Sequence, residues 1–353
     1  MITINKNRGE SSRTKLKTFD NCGEARWSNL NDDVLFLVMM QLGLIDFLAF
    51  SGVCKTWRLL AHTNRNKFMA SRPPMFLHIS PSGNREEYYC CLSDFKFRKF
   101  KTILPHYFGR FCVGLTCGYL ILFGKETHDF WLVNPITRYQ FYFPAVHFLG
   151  SIRDLTVIRA ILVFSPTISG WVLVVSHRFA DTIWFSVVGT RAWNHVSSTF
   201  PIIDLHAFKG KIYTLHTNCC LFQLRLIPEP KWTLLKIKDV LKTYGLHLEF
   251  LTSGENLYVT NRLSKCLYKL QELDFGEMKW VLQEKAAMGD YVIFLSFLKH
   301  GALIKPEPGS QWSKFKRHAD FVDTSDKGQK PRFFIAATWY FPHDCLTVNH
   351  IYE

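Results

Sequence analysis

The spacing of glycine residues constrains the fold of this chain more than any other feature. Five glycines stand directly before apolar runs, at intervals of 40 to 52 residues: Gly118, Gly170, Gly210, Gly254 and Gly301. A tryptophan follows three of them after a further 22 to 26 residues: Trp193, Trp232 and Trp280. A recurring period of this size indicates that one structural unit is repeated along the chain.

The repeat predicts an all-β domain. Short apolar or alternating runs are separated by Gly, Pro, Asn and Asp, and the 15% aromatic content also favours strands. A period near 45 residues is long enough for four short strands, the size of one β-propeller blade, so the roughly 280 residues after Pro74 give about six four-stranded blades. We expect the glycine to permit a tight turn and the tryptophan to fill space between blades. A pair of β-sandwiches is the alternative that this pattern leaves open.

The segment before the repeat predicts a small all-α module. Asn31 is a suitable N-cap, Asp32 and Asp33 complement the helix dipole, and Gly43 is a plausible stop after Leu42. The seven apolar residues 34–40 make this helix hydrophobic all round, and a helix of that kind must be covered on every side. A module of about 45 residues is too small to cover it, so either the second domain or another chain does so.

Two further helices complete the predicted module. The second covers Ile45 to Val53, and the third runs from Cys54 or Lys55 to about Asn64. The third helix carries Trp57, Leu60 and Ala61 on one side. Pro73 and Pro74 then close the module, because proline disfavours helix at itself and at the preceding residue.

These residues resemble an F-box. The resemblance is carried by the string from Trp27 to Leu35, then by Leu42, Asp46, Phe50, Val53-Cys54-Lys55-Thr56-Trp57-Arg58 and Ala61. It implies that the module docks on a Skp-family adaptor. The candidates for that surface are Leu30, Val34, Leu35, Leu42, Val53, Cys54 and Trp57. Some of them must instead be internal core, and the sequence does not divide the two sets.

One residue departs from the F-box pattern. The family usually has Leu-Pro where this chain has Leu30-Asn31, and that proline helps to set the start of the first helix and touches the adaptor. Asn31 can still cap the helix, so the fold should survive. The departure leaves the affinity for the adaptor open.

The repeat region resembles the propeller of a large plant group of F-box proteins with a KIB-type domain. The matching segments, in order, are 113–120, 130–137, 253–258, 267–270, 279–281 and 288–294. The resemblance spans about residues 27 to 345 and fits worst after about Ser310, so closure of the ring is not predicted. We expect a disordered basic tail over 1–26, the F-box over 27–72 and the propeller over 73–353.

The resemblance implies a substrate-recognition subunit of an SCF-type ubiquitin ligase. The F-box would dock on the adaptor, and through it on a cullin, while the propeller holds an unknown target protein in the cytoplasm or nucleus. No residue of this chain would break a bond, and no cofactor is expected. Two alternatives stay open: a non-degradative or decayed copy, and a basic propeller that binds nucleic acid.

The charge pattern bears on the nucleic-acid alternative. The net charge of +14 favours an acidic partner, and basic residues cluster at 96–101 and 314–318. Alternation of Lys or Arg with Phe in the first cluster is typical of a half-buried strand, and the second cluster stays open between strand, basic loop and nuclear signal. The remaining charges are scattered along the sequence, whereas a nucleic-acid site concentrates them on one face.

Motifs for catalysis, metal binding or membrane insertion are missing from the sequence. There is no P-loop, GxGxxG, HExxH or CxxC motif, and no run nears the roughly 18 apolar residues of a membrane span. The ten cysteines are expected to be free thiols. Residues 114–118 superficially resemble a nucleophile elbow, but a strand is predicted where that motif needs a helix. His206 and His216 lie near Cys219 and Cys220, at a spacing that matches no known metal site.

Overall fold

A computed structural model describes twelve parts of the chain. They are residues 30–72, 74–82, 87–93, 99–146, 157–239, 241, 247–253, 256–261, 270–283, 292–294, 302–304 and 335–340. The predicted tail 1–26, the basic cluster 314–318, Gly254 and Gly301 lie outside the described residues. None of the helices in these parts is long and apolar enough to cross a membrane.

Three helices form the N-terminal module, as predicted. They are α1 (Asp32–Gln41), α2 (Leu44–Ser51) and α3 (Lys55–Ala70). The side chain of Asn31 accepts a hydrogen bond of 2.8 Å from the backbone N–H of Asp33, which confirms the predicted N-cap. Helix α3 runs past the predicted end at Asn64, because the ring of Phe68 is fully buried and stacks on Phe47 at 4.0 Å. Tertiary packing therefore overrides the weak helix propensity of the polar residues before it.

The rest of the described chain is β-structure, with strands numbered β1 to β22 in chain order. Blade 1 contains β1 (Met75–Pro81), β2 (Tyr88–Ser93), β3 (Lys99–Ile103) and β22 (Ile335–Tyr340). Blade 2 contains β4 (Arg110–Thr116), β5 (Tyr119–Gly124), β6 (Phe130–Val133) and β7 (Gln140–Phe143). Blade 3 contains β8 (Ile158–Ser165), β9 (Gly170–His177), β10 (Thr182–Val187) and β11 (Asn194–Ser197). Blade 4 contains β12 (Ile202–Phe208), β13 (Lys211–His216), β14 (Leu221–Arg225) and β15 (Lys231–Leu234). Blade 5 contains β16 (Leu248–Ser253), β17 (Asn256–Asn261), β18 (Gln271–Asp274) and β19 (Lys279–Leu282).

Five four-stranded antiparallel sheets follow one another, which confirms the predicted class of an all-α module followed by a propeller-like all-β domain. About six blades were expected. In place of a sixth, the described residues contain a hairpin of β20 (Val292–Phe294) and β21 (Ala302–Ile304). This hairpin joins β16 of blade 5 through one parallel bridge, Thr252 to Ala302.

A late strand completes the first blade. Strand β22 pairs antiparallel with β1, with Met75 opposite Tyr340 and Phe76 opposite Trp339. The ends of the β domain are therefore joined within one sheet. This closure falls in the segment after Ser310 where the sequence pattern was weakest.

Two of the repeated glycines, Gly118 and Gly210, occupy the turn between the first and second strands of a blade, whereas Gly170 is the first residue of β9 and the left-handed position before it belongs to Ser169, with a φ angle of 46°. Cys117 and Gly118 have φ angles of 48° and 75°, and Lys209 and Gly210 have 49° and 71°. Positive φ at both central residues defines a type I′ hairpin, which glycine adopts without a steric penalty. The predicted role of the glycine is confirmed at these two turns.

The repeated tryptophans join neighbouring blades. The indole N–H of Trp193, at the end of blade 3, donates a hydrogen bond of 3.0 Å to the carbonyl of Pro144 after blade 2. Trp232 of blade 4 donates in the same way to Ser197 of blade 3, at 2.9 Å. Trp280 of blade 5 is buried in the apolar cluster shared with blade 4. The predicted packing role is confirmed, and hydrogen bonds accompany it in two cases.

A buried ion pair joins blades 3 and 4. The guanidinium of Arg159 on β8 lies 3.2 Å from the carboxylate of Asp204 on β12, and both residues are buried. The second oxygen of Asp204 accepts a hydrogen bond of 2.8 Å from the backbone N–H of Phe250 on β16. A single carboxylate therefore joins the first strands of blades 3, 4 and 5.

We expect Asp204→Ala to lower the free energy of unfolding by about 3 kcal/mol, because it removes a buried carboxylate that pairs with the Arg159 guanidinium and accepts from the N–H of Phe250. Denaturant unfolding followed by circular dichroism measures the change. Asp239→Ala, at an exposed aspartate, is the matched control and should stay within about 0.5 kcal/mol of wild type. Equal stability of the two variants would show that the ion pair contributes little.

His216 on β13 is a buried neutral histidine. Its Nδ1 lies 2.9 Å from the carbonyl of Phe200, which can only accept, so Nδ1 carries the proton. Its Nε2, at 2.9 Å from the hydroxyl of Thr214, is then the acceptor. Burial lowers the pKa of His216 below its ordinary value, and the hydrogen bond to Phe200 opposes that shift more weakly.

The lowered pKa of His216 predicts a loss of stability in acid. Below the ordinary histidine pKa of about 6.5 the unfolded chain takes up a proton that the folded chain resists, so stability falls as pH is lowered through that range. Replacing His216 by Gln should flatten the dependence of the melting temperature between about pH 7 and 5 relative to wild type. His247→Gln, at an exposed histidine, should leave the wild-type dependence unchanged.

Candidate functional site

Helix α1 has one covered face and one exposed face. Leu35 and Met39 are fully buried, whereas Val34, Leu37 and Val38 are 46%, 63% and 42% exposed. The three exposed residues are spaced i, i+3 and i+4 and therefore form one side of the helix. The sequence required every side of this helix to be covered, and the described residues of this chain cover only half of it.

The structure divides the predicted adaptor-binding residues between core and surface. Val34 and Val53 are exposed. Leu35 is completely buried. Leu30, Leu42 and Trp57 are half-buried and pack against the core, with Trp57 stacked on Phe50 at 4.4 Å; Cys54 is half-buried.

Three exposed apolar residues of the module were missing from the predicted set. They are Leu37, Val38 and Leu59, and Leu59 is 68% exposed on α3. Helical spacing from Val34 could have identified Leu37 and Val38, because i+3 and i+4 share a face. No comparable signal in the sequence marks Leu59.

The covered face of α1 belongs to a core shared with the propeller. One apolar cluster contains Leu35 and Met39 of α1, Phe68 of α3, Leu77 of blade 1 and Leu120 of blade 2. The module therefore packs directly on the β domain. Packing of this kind fixes the direction in which the exposed face of α1 points.

Arg72, in the link between α3 and β1, caps the C-terminal end of helix α1. Its guanidinium donates hydrogen bonds to the carbonyls of Met40 and Leu42, the latter at 2.9 Å, and lies 4.4 Å from the ring of Phe68. The last carbonyls of a helix lack intrahelical donors and carry partial negative charge. No basic residue lies in the last turn of α1, so Arg72 supplies the positive charge there.

The segment that resembled a nucleophile elbow is accounted for by packing. A Cβ atom on Gly114 would lie 2.9 Å from the carbonyl oxygen of Ala160, so glycine permits the close approach of β4 to β8. Cys117 sits in the β4–β5 turn, where its thiol lies 3.5 Å from the carbonyl of Leu162. Strand β5 follows directly, as predicted, and no helix lifts the thiol.

The buried thiols are held in their protonated form. Burial raises the pKa of Cys112 to about 12, and it also raises the pKa of Cys90. Of the pair near the histidines, burial also raises the pKa of Cys219. Within the described ranges, no group of three or more His, Cys, Asp or Glu side chains is placed to hold a metal ion.

The fold and the exposed helix face define a two-part protein: a three-helix module with an exposed apolar surface, packed on a bladed β domain. Residues 27–69 match the model of the F-box domain, and residues 90–307 match the model of the KIB1-4 beta-propeller. The chain belongs to the KIB1-4 β-propeller family and carries an F-box at its N-terminal side. This combination fits the general architecture of SCF substrate receptors, and F-box domains generally bind Skp1-type adaptors.

Solved structures share distant similarity with this chain. The WD40 domain of SCAP from fission yeast is 12% identical, with a TM-score of 0.35 over 64% of this chain and 56% of its own length. AztD from Citrobacter koseri is 11% identical, with a TM-score of 0.33 over 55% of this chain and 51% of its own length. A protein of unknown function from Bacteroides caccae is 14% identical, with a TM-score of 0.38 over 66% of this chain and all of its own length. The chain thus spans about half the length of the first two. No curated protein matches the chain.

We expect Asn31→Ala to destabilise the module by about 1 kcal/mol, because the N–H of Asp33 loses its side-chain acceptor. Thermal unfolding monitored by circular dichroism measures the effect. Asn31→Asp should be neutral, since aspartate caps helices equally well. Asn194→Ala, at an exposed asparagine on β11, controls for the loss of an amide. If it lowers the melting temperature as much as Asn31→Ala does, the capping role is contradicted.

Proposed function

We propose that this protein is the substrate-recognition subunit of an SCF-type ubiquitin ligase. The F-box docks on a Skp-family adaptor, which joins it to a cullin, and the propeller binds the target protein. The exposed apolar face of α1 is the observation that carries the proposal. Three large apolar side chains on one side of a helix are a surface that gains free energy when a partner covers it.

The burial pattern assigns roles within the proposed adaptor surface. Its contact residues are the exposed apolar side chains Val34, Leu37, Val38, Val53 and Leu59. Leu35 supports that surface from inside the core, and the half-buried Leu30, Leu42, Cys54 and Trp57 lie between the two sets. Complete burial of a Val or Leu side chain contributes about 1.5–3 kcal/mol, so a few of these contacts are sufficient for stable docking.

The proposed mechanism is tethering: this chain holds the target protein near the ubiquitin-conjugating machinery and catalyses no step itself. The adaptor holds the ubiquitin-conjugating machinery, and the propeller holds the target, so a target lysine meets activated ubiquitin at a raised effective concentration. The core shared by α1, α3 and blades 1 and 2 supports a fixed distance between the two binding surfaces. We place this activity in the cytoplasm or nucleus.

Asn31 is compatible with this function. Its φ and ψ angles are −57° and 139°, which lie within the range that proline adopts. The helix therefore starts with the same backbone direction that the usual proline would impose. What Asn31 lacks is the apolar ring of proline at the adaptor surface.

Binding to the adaptor tests the proposal. Wild-type chain co-expressed with a Skp-family adaptor should be recovered as a one-to-one complex. Val34→Asp with Leu37→Asp should weaken binding roughly a hundredfold, because two apolar contacts would bury charge instead. The matched control is Leu234→Asp with Leu282→Asp, which changes two similarly exposed leucines on outer strands of blades 4 and 5 and should bind normally.

Each result of this experiment is decisive. Absence of adaptor binding by folded wild-type chain would refute the receptor role and favour a decayed or non-degradative copy, or a nucleic-acid-binding propeller. Equal binding by both double variants would place the adaptor elsewhere. Asn31→Pro, tested alongside, should raise the affinity for the adaptor if the asparagine weakens docking.

A further inference from the structure

Three cations form a row on the face of blade 4 that is turned toward blade 5. Ile212 pairs with Leu224, so Lys211 at the start of β13 lies next to Arg225 at the end of β14. Arg225 in turn pairs with Lys231 at the start of β15. Neighbours paired in this way share one face of a sheet. We call Lys211, Arg225 and Lys231 the basic row, and all three are exposed.

Strand alternation decides which face of blade 4 carries the row. Successive side chains of a strand point to opposite faces, so Lys211 shares its face with Tyr213 and not with Ile212. Tyr213 is buried in the apolar cluster between blades 4 and 5, whereas Ile212 is buried in the cluster between blades 3 and 4. The basic row therefore lies on the blade 5 side of blade 4, at the end where β13 and β15 begin.

An exposed aromatic ring of blade 5 reaches the same face. Phe275, in the β18–β19 turn, is 38% exposed, and its ring centroid lies 5.9 Å from that of Tyr213 and 6.0 Å from that of Phe208. Tyr213 follows Lys211 on the same face of β13, about 7 Å along the strand. The basic row and Phe275 are therefore linked through Tyr213, and we call them together the basic-aromatic patch.

The described parts of the chain supply no counter-charge to the basic row. The exposed Glu229 of the β14–β15 turn forms no ion pair with it. The acids beside the β18–β19 turn have other partners: Glu277 pairs with Lys238, and Asp274 accepts hydrogen bonds from two backbone N–H groups of the turn. Like charges opposite each other in a sheet are destabilising, so an anion that covers the row relieves this repulsion.

We propose that the basic-aromatic patch docks an acidic segment of the target protein, with carboxylates of the segment on the basic row and an apolar side chain on Phe275. Charge complementarity selects this occupant, since the row holds three cations without a described counter-charge. The inference rests on the proposed receptor function, because it names the class of target segment. A single-stranded nucleic acid fits less well: its successive bases stack on several aromatic rings, and the described patch exposes one.

Selection from a phage-displayed library of random 12-residue peptides on the full-length chain tests the proposal. Peptides that carry two or more Asp or Glu beside an apolar residue should be enriched. Their affinity, measured by fluorescence anisotropy, should fall at least about tenfold in Lys211→Glu with Arg225→Glu, since each reversal replaces attraction by repulsion. Lys211→Gln with Arg225→Gln, which removes charge without reversing it, should give an intermediate loss.

A further substitution tests the aromatic part of the patch. Phe275→Ala should weaken binding of the same peptides about threefold or more, because an apolar contact is lost. Replacing the apolar residue of the peptide by Ser should then weaken binding to wild type but not to Phe275→Ala, since the two side chains form one contact. Phe200→Ala removes a ring of similar exposure, 40%, in the loop between blades 3 and 4 and should leave the affinity unchanged.

The matched control separates the basic row from the overall positive charge. Lys125→Glu with Arg191→Glu changes the net charge equally, at an exposed lysine and an exposed arginine in turns of blades 2 and 3. This variant should bind the peptides like wild type. Thermal unfolding of every variant verifies that it is folded.

Four results would overturn the proposal. They are enrichment of no peptide or of non-acidic peptides, equal weakening by the control, unchanged binding by the charge-reversed variant or by Phe275→Ala, and tighter binding of a single-stranded DNA oligonucleotide that the same charge reversal abolishes. Adaptor binding is measured on the same preparations. Its absence in wild type would refute the receptor function, whereas normal adaptor binding without peptide binding would refute only the patch.

Discussion

Burial of both faces of each blade is the constraint on which the rest of the structure depends. A four-stranded sheet of this size presents apolar side chains on two sides, and each side is covered only by the next blade. Separate apolar clusters lie between blades 2 and 3, between 3 and 4, and between 4 and 5, and a fourth joins the helices to blades 1 and 2. The helical module thus takes part in the same packing scheme as the blades. Its covered face is core, and its opposite face is exposed and apolar.

Much of this architecture could be predicted from local sequence patterns. The type I′ turns at Gly118 and Gly210 and the helix cap at Asn31 depend on a few adjacent residues, so the sequence carries them directly. Closure through β22 could not be predicted, because it joins Met75 to Tyr340 across most of the chain. The helix α3 was also predicted too short. Its last turns are stabilised by the burial of Phe68, which depends on residues distant in sequence.

The division of the candidate site into core and surface shows the same limit. Leu35 and Leu37 are chemically identical and two positions apart, yet one is buried and the other is the most exposed apolar residue of its helix. A helix that is apolar all round gives no sign of which side its own chain will cover. Charge shows a related limit: Lys211, Arg225 and Lys231 are separated in sequence and become neighbours only through strand register.

The position of β22 has a consequence for synthesis of the chain. Blade 1, on which the helices pack, receives its fourth strand only after residues 335–340 have left the ribosome. Until then β1 is an unpaired strand edge next to the helix module, and edges of this kind are recognised by chaperones or pair with other chains. A chain that stops before residue 335 would therefore carry the three helices on an incomplete first blade. Closure by the late strand therefore couples the completeness of the polypeptide to the stability of its first module.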